Sequence, residues 1–142
     1  MKIRTVHLTL PAPAGSVFAF LAEIGNLPLW ATEFCERVER RGSGWIAHTA
    51  QGPLHFAIES DAARGTIDMH AGAEPTAMAL FPIRVLAIPP GVTLVMFTFC
   101  QPPGLPDELY ERQYRSLGIE MRGLAARFGG GEVQAAEMAA AV

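Results

Sequence analysis

The chain has 142 residues, half of them apolar and 18% charged, with a formal net charge of −3. That length suffices for one self-supporting core, and the acidic balance leaves no basic footprint for nucleic acid. Two cysteines, Cys35 and Cys100, cannot make a disulfide framework, and no apolar run reaches the roughly 18 residues of a membrane span. Reduced thiols in a cytoplasmic protein without integral membrane association are expected. Lys2 and Arg4 precede some apolar residues, but Pro11 and Pro13 interrupt before a signal-peptide core forms. The mean hydropathy of +0.23 calls for a cavity lining or a subunit interface in addition to a core.

Residues 3–10 alternate as a strand, with Arg4, Val6, Leu8 and Leu10 on one side. After Pro11–Gly15 the chain turns, and Ser16 is a candidate cap for a short helix that closes near Gly25. Asn26 and Pro28 open a second short helix expected to run to about Phe34. From Cys35 the apolar period changes from about 3.6 to 2. Strands are expected over 35–41, 45–50, 54–60, 64–72, 77–88 and 93–101, broken by Gly- and Pro-containing turns. Pro82 requires an edge, a bulge or a bend within its strand. The strand 93–101 carries no charge, so both of its faces are candidates for cover.

The best-marked element is the last. Pro106, Asp107 and Glu108 suit a helix start, Arg127 suits its last turn, and Gly129–Gly131 stop it. Tyr110, Tyr114, Leu117, Met121, Leu124 and Phe128 share one face, with Arg112, Arg115 and Arg122 opposite. The tail, 129–142, is rich in Gly and Ala and is expected to be a frayed helix or disordered. Hairpin-length turns between strands and helices at the ends argue for an α+β domain over 1–128.

The order of elements resembles the START/Bet v 1-like (SRPBCC) superfamily, and in particular its bacterial polyketide cyclase/dehydrase-type members. Three stretches carry the likeness: Pro11-Ala12-Pro13 with Val17 and Phe18; Asn26-Leu27 with Trp30 and Phe34; and Phe97-Thr98-Phe99 running into Gln101–Gly104 and the long helix. The resemblance implies a helix-grip fold. A curved antiparallel sheet of about six or seven strands would wrap around the helix at 106–128, with a cavity between them.

A cavity of that kind binds an apolar molecule by burial, with a few polar groups for orientation. Its expected lining is Tyr110, Gln113, Tyr114, Leu117 and Met121 from the helix, with Trp30, Phe56 and Arg84. Any polar end of the ligand is expected nearer residue 110 than residue 128. For general acid–base work the candidates are His48, His70 and Asp68, since a neutral-pH imidazole or an isolated carboxylate could act if it entered the cavity. Asp68 and Arg84 have a structural reading as a cross-strand ion pair, and Glu23 or Glu33 could rim the mouth. No His-x-His pair, Cys-x-x-Cys or nucleotide fingerprint occurs, so neither metal nor cofactor is expected.

Three functions follow. The first is binding of a small hydrophobic molecule, whether lipid, polyketide or aromatic. The second, implied by the resemblance, is a cyclase, dehydratase or isomerase working by acid–base catalysis. The third is an interaction or stress-response module without a ligand. The charge-free strand 93–101 and Ile119 point to a homodimer contact.

Overall fold

The computed structural model describes residues 1–134. One eight-stranded antiparallel sheet and three α-helices make up the fold, in the order β1 (Ile3–Leu10), α1 (Ala14–Ala22), a 3₁₀ turn (Ile24–Asn26), α2 (Leu27–Trp30), β2 (Arg37–Arg41), β3 (Gly44–Thr49), β4 (Gly52–Asp61), β5 (Thr66–Gly72), β6 (Ala79–Ile88), β7 (Val92–Cys100), α3 (Asp107–Arg127) and β8 (Glu132–Gln134). The strands lie in the order β2-β3-β4-β5-β6-β7-β1-β8. Strands β2 to β7 are thus joined by successive hairpins, and β1 returns beside β7.

Side-chain alternation sets the two faces. Val6, Leu8 and Leu10 of β1, Ile67, Met69 and Ala71 of β5, Ile83 and Val85 of β6, and Val95, Phe97 and Phe99 of β7 are buried on the inner face. The core lies between this face and the helices, with Tyr110, Tyr114, Leu117, Met121 and Leu124 from α3. Pro82 lies in a strand flanked on both sides, yet costs no ladder bond. The β6–β7 pairing ends at Ile83↔Phe97, one residue short of it, so Pro82 occupies a local edge while its pairing with Asp68 of β5 continues.

Three local expectations differ from the structure. Ser16 lies inside the first turn of α1, where its N–H and that of Val17 reach the carbonyl of Pro13 (3.1 and 3.2 Å), the residue that precedes the helix. Asn26 is not a side-chain cap either; its Nδ2 donates to the Phe20 carbonyl and ties the corner to α1. The second helix stops at Trp30, four residues early, and beyond it the Glu33 and Phe34 N–H groups donate to the Glu120 carboxylate on α3 (3.0 Å each). The Phe34 N–H is shared with the Ala31 carbonyl at 3.1 Å, a three-residue turn in place of the next helical bond.

The tail also differs where it is described. Glu132–Gln134 form an eighth strand against His7–Thr9 of β1, in place of frayed helix or disorder. Gly129 and Gly130 have φ of 93° and 89°, and the Gly130 N–H donates to the Ala125 carbonyl at 2.7 Å, closing α3. A Cβ at Gly131 would run into the carbonyl oxygen of Thr9. The three glycines both end the helix and let the chain return onto β1. The part of the tail from 135 to 142 lies outside the described residues.

Candidate functional site

The inner face of α3 is filled. Tyr110 and Tyr114 have no exposed surface, and Leu117, Met121 and Leu124 are at most 5% exposed. Tyr110 stacks on Phe99 with centroids 4.6 Å apart, and its hydroxyl donates to the Phe99 carbonyl at 2.7 Å. Burial raises the pKa of that phenol. The Arg4 guanidinium covers the faces of both tyrosines, at 5.6 Å and 5.0 Å, and pairs with Glu111, which also accepts from Lys2 at 2.6 Å. Those two cations hold the Glu111 carboxyl at about 2. Polar atoms near residue 110 therefore serve the packing of α3 onto β1 and β7. Gln113 is half-buried beside them.

The open space lies elsewhere on the same sheet face. Ala22, Glu23 and Ile24, at the α1–3₁₀ corner, form one lip of a groove of about 400 Å³. Ser43, Gly44 and Trp45 of the β2–β3 turn and Phe56, Ala57 and Ile58 of β4 form the other. Trp45 and Phe56 are directly paired across β3 and β4, so their rings stand on one face. Of the residues expected to line a cavity, Phe56 is the one on this wall, and Glu23 does rim the mouth. Its Oε1 accepts from the Gly25 N–H at 3.1 Å, which fixes the corner. Phe56 also meets Phe34, centroids 6.1 Å apart, where the groove floor joins the core.

Trp30 is 3% exposed and meets Phe97 edge-on at 6.2 Å. Its indole N–H is buried and has no acceptor among the described residues. Such a donor normally finds a partner, so an acceptor atom entering the core would be stabilised there.

The acid–base candidates do not reach this interior. His48 Nε2 lies 2.8 Å from Glu39 Oε1, and that contact together with Arg41 holds the Glu39 carboxyl below its usual range. His70 Nε2 lies 3.6 Å from Glu59. Asp68 pairs with Arg84 at 2.8 Å across β5 and β6. Period 2 decides all four. Ile67, Met69, Ile83 and Val85 point inward, so Asp68, His70 and Arg84 point outward, and His48 shares the outer face with His55 and Ile46. The ion-pair reading of Asp68 and Arg84 holds, and neither is placed to anchor a ligand inside the grip.

The group that sequence reasoning missed is Glu120. It is 6% exposed, and Oε2 takes the two amides described above. Burial outweighs those hydrogen bonds and raises its pKa to about 7. Its spacing was the available signal: Glu120 falls three residues after Leu117 and four before Leu124, inside the apolar stripe. Beside it, burial pushes the Cys35 thiol up, and its Sγ donates to the Arg37 carbonyl at 3.2 Å. Among the described residues no three His, Cys, Asp or Glu side chains converge as a metal site would require.

Comparison with solved structures gives the architecture its name. A START superfamily protein from Mycobacterium smegmatis superposes with a TM-score of 0.65 at 13% identity, over 89% of this chain and 96% of that one. The fold is the helix-grip fold of the START-like proteins. An aromatase/cyclase from a Streptomyces species shares it with a TM-score of 0.60 at 18% identity, over 86% of this chain and 88% of that one. A protein solved as the Aha1 dimer, from Colwellia psychrerythraea, gives 0.67 at 13% identity, over 90% and 96%. No protein-family model and no curated protein matches the sequence. The helix-grip chain described here has eight strands where six or seven were expected, the additional one being Glu132–Gln134. Among its described residues no helix is long and apolar enough to cross a membrane.

Proposed function

We propose that this protein binds a small hydrophobic molecule, in the groove between the Ile24 corner and the inner face of β3 and β4. The observation that carries the reading is the groove itself. Its volume of about 400 Å³ falls in the range of small-molecule sites, and Trp45, Phe56 and Ile58 give it an apolar wall. Burying apolar ligand surface there yields about 25 cal/mol per Å². The cavity first expected beneath α3 moves, on this reading, to the end of the sheet that α3 leaves uncovered. The Trp30 indole N–H offers one interior donor should the ligand carry an oxygen deeper. Lipid, polyketide and aromatic ligands all fit this description. Trp45 makes the test direct: titration with a panel of aromatic and aliphatic compounds should quench or shift tryptophan emission and raise the melting temperature. A panel that moves neither signal removes the reading.

One observation favours the cyclase, dehydratase or isomerase alternative, and it is Glu120. A carboxyl with a pKa of about 7 is suited to proton transfer near neutrality. Phe34, whose amide it accepts, abuts the groove residue Phe56. The catalytic candidate on this reading is Glu120, in place of His48, His70 and Asp68. Turnover of a polyketide-like substrate that survives Glu120→Gln would eliminate Glu120 as the catalytic group, and no turnover by the parent chain would eliminate the alternative.

The outer face supports self-association. Leu86 and Leu94 are directly paired across β6 and β7, and Leu86 and Ile88 are 41% and 42% exposed. Met96 of the charge-free strand lies in the same row. A homodimer through this face would cover it, and Ile119, 48% exposed, lies on α3 away from it. Sedimentation giving a monomer at high micromolar concentration would rule the dimer out. Two free thiols agree with a cytoplasmic setting.

A further inference from the structure

Arg40 stands across from Trp45 in the β2–β3 register, on the concave side of the sheet. Its guanidinium carbon lies 5.9 Å from the centroid of the Trp45 ring. The neighbouring cations of β2 alternate to the other side, where Arg37 and Arg41 both meet Glu39, at 3.6 Å and 3.1 Å. Arg40 is exposed, and among the described residues no carboxylate lies within ion-pair distance of it. Glu23, on the opposite lip, is turned to the Gly25 N–H.

A guanidinium laid on an indole is held in orientation by the ring while its N–H edge stays free. That edge matches a carboxylate in two parallel hydrogen bonds, and Ser43 lines the groove at the neighbouring β2–β3 turn. Behind it, Trp45, Phe56 and Ile58 form an apolar wall that runs away from the charge. Resting on the hydrophobic-ligand reading above, we infer that the groove selects an amphipathic carboxylate. The aliphatic or aromatic body lies along Trp45, Phe56 and Ile58, and the carboxylate reaches out of the groove past Trp45 to Arg40, which lies against that ring and outside the groove's own lining. The groove therefore discriminates by charge as well as by shape. A neutral analogue of equal apolar area leaves Arg40 hydrated and gains only the burial term, and an ammonium analogue meets a cation.

The test is calorimetric titration of the full chain with decanoate, decanol and decylammonium, each below its aggregation concentration. Decanoate should bind at least about tenfold more tightly than decanol, and the preference should shrink as salt is raised. Arg40→Gln and Arg40→Met should bring decanoate to the affinity of decanol and leave decanol unchanged. Arg40 is exposed, so both variants should keep the parent melting temperature. Equal binding of decanoate and decanol, or decanoate binding that survives both substitutions, overturns the Arg40 assignment and leaves hydrophobic-ligand binding standing. Tighter binding of decylammonium also overturns it and makes Glu23 the reader of the head group. If none of the three ligands binds, the Arg40 assignment falls, and the aromatic and aliphatic panel described above decides whether the hydrophobic-ligand reading falls with it.

Discussion

The two ends of the sheet's inner face have the same construction and opposite outcomes. At the β7–β1 end α3 lies over the strands, and Phe99, Tyr110, Tyr114 and Leu117 pack without exposed polar atoms. At the β3–β4 end Trp45, Phe56 and Ile58 present a comparable apolar row, but the nearest cover is the short Ile24 corner, and a groove stays open. Apolar composition alone does not distinguish a wall from a core. The distinction is whether a helix crosses above it: α1, with 9 residues, packs on β6 and β7 and α3, with 21, on β1, while the β3–β4 end keeps its groove.

The contrast can be broken first from the packed end. Leu117→Ala should cost about 2–5 kcal/mol in denaturant unfolding and leave ligand affinity unchanged, because its side chain is enclosed. A cost well under 1 kcal/mol with altered binding would restore a cavity beneath α3.

Glu120 gives the next largest effect, and its sign is set by the direction of its shift. The folded-state pKa of about 7 is above the unfolded 4.5, so the protonated form is the one the fold favours. Its contribution is fully present below pH 4.5 and is lost as pH rises through 7. At about 1.4 kcal/mol per tenfold change in proton affinity, the loss is up to about 3 kcal/mol. Glu120→Gln keeps an acceptor for the Glu33 and Phe34 amides and removes the charge. Its stability should match the parent near pH 4.5 and exceed it at pH 8. A gap that is constant across this range would mean that Glu120 does not titrate there. Glu111 has the opposite dependence, since its pKa is lowered to about 2: its contribution is present above pH 4.5 and lost as pH falls toward 2.

The open end should respond in binding more than in stability. Trp45→Ala should cost about 1–2 kcal/mol of stability and weaken a groove ligand by tenfold or more. Binding that is indifferent to Trp45 would place the ligand elsewhere. The smallest effect is expected on the outer face. Asp68→Asn should change stability by no more than about 1 kcal/mol, since the half-buried pair is still reached by solvent, and leave binding untouched.

Much of this was legible in the chain. The alternation of residues 3–10 and the four- and three-residue spacing from Tyr110 to Leu124 located β1 and α3 closely, because periodicity reports which side of an element is buried. The same alternation carries the outward placement of Asp68 and Arg84, against the expectation that Arg84 lines the cavity. The site was less legible. Glu120 could be seen on an apolar stripe, but its partners, the amides of Glu33 and Phe34, lie nearly ninety residues away. Arg40 looked like one arginine among several in a charged strand, and only the β2–β3 register sets it against Trp45.

The sequence by itself determined the elements, their order and the face each one buries, since these depend on contacts between near neighbours in the chain. The tertiary structure decided which apolar faces became core and which became groove. It also decided that Glu120 carries a raised pKa, that the tail returns as β8, and that Arg40 lacks a carboxylate partner among the described residues. Those outcomes depend on how far a helix reaches over a sheet and on which distant backbone groups meet a side chain. Both are set by packing across the whole fold.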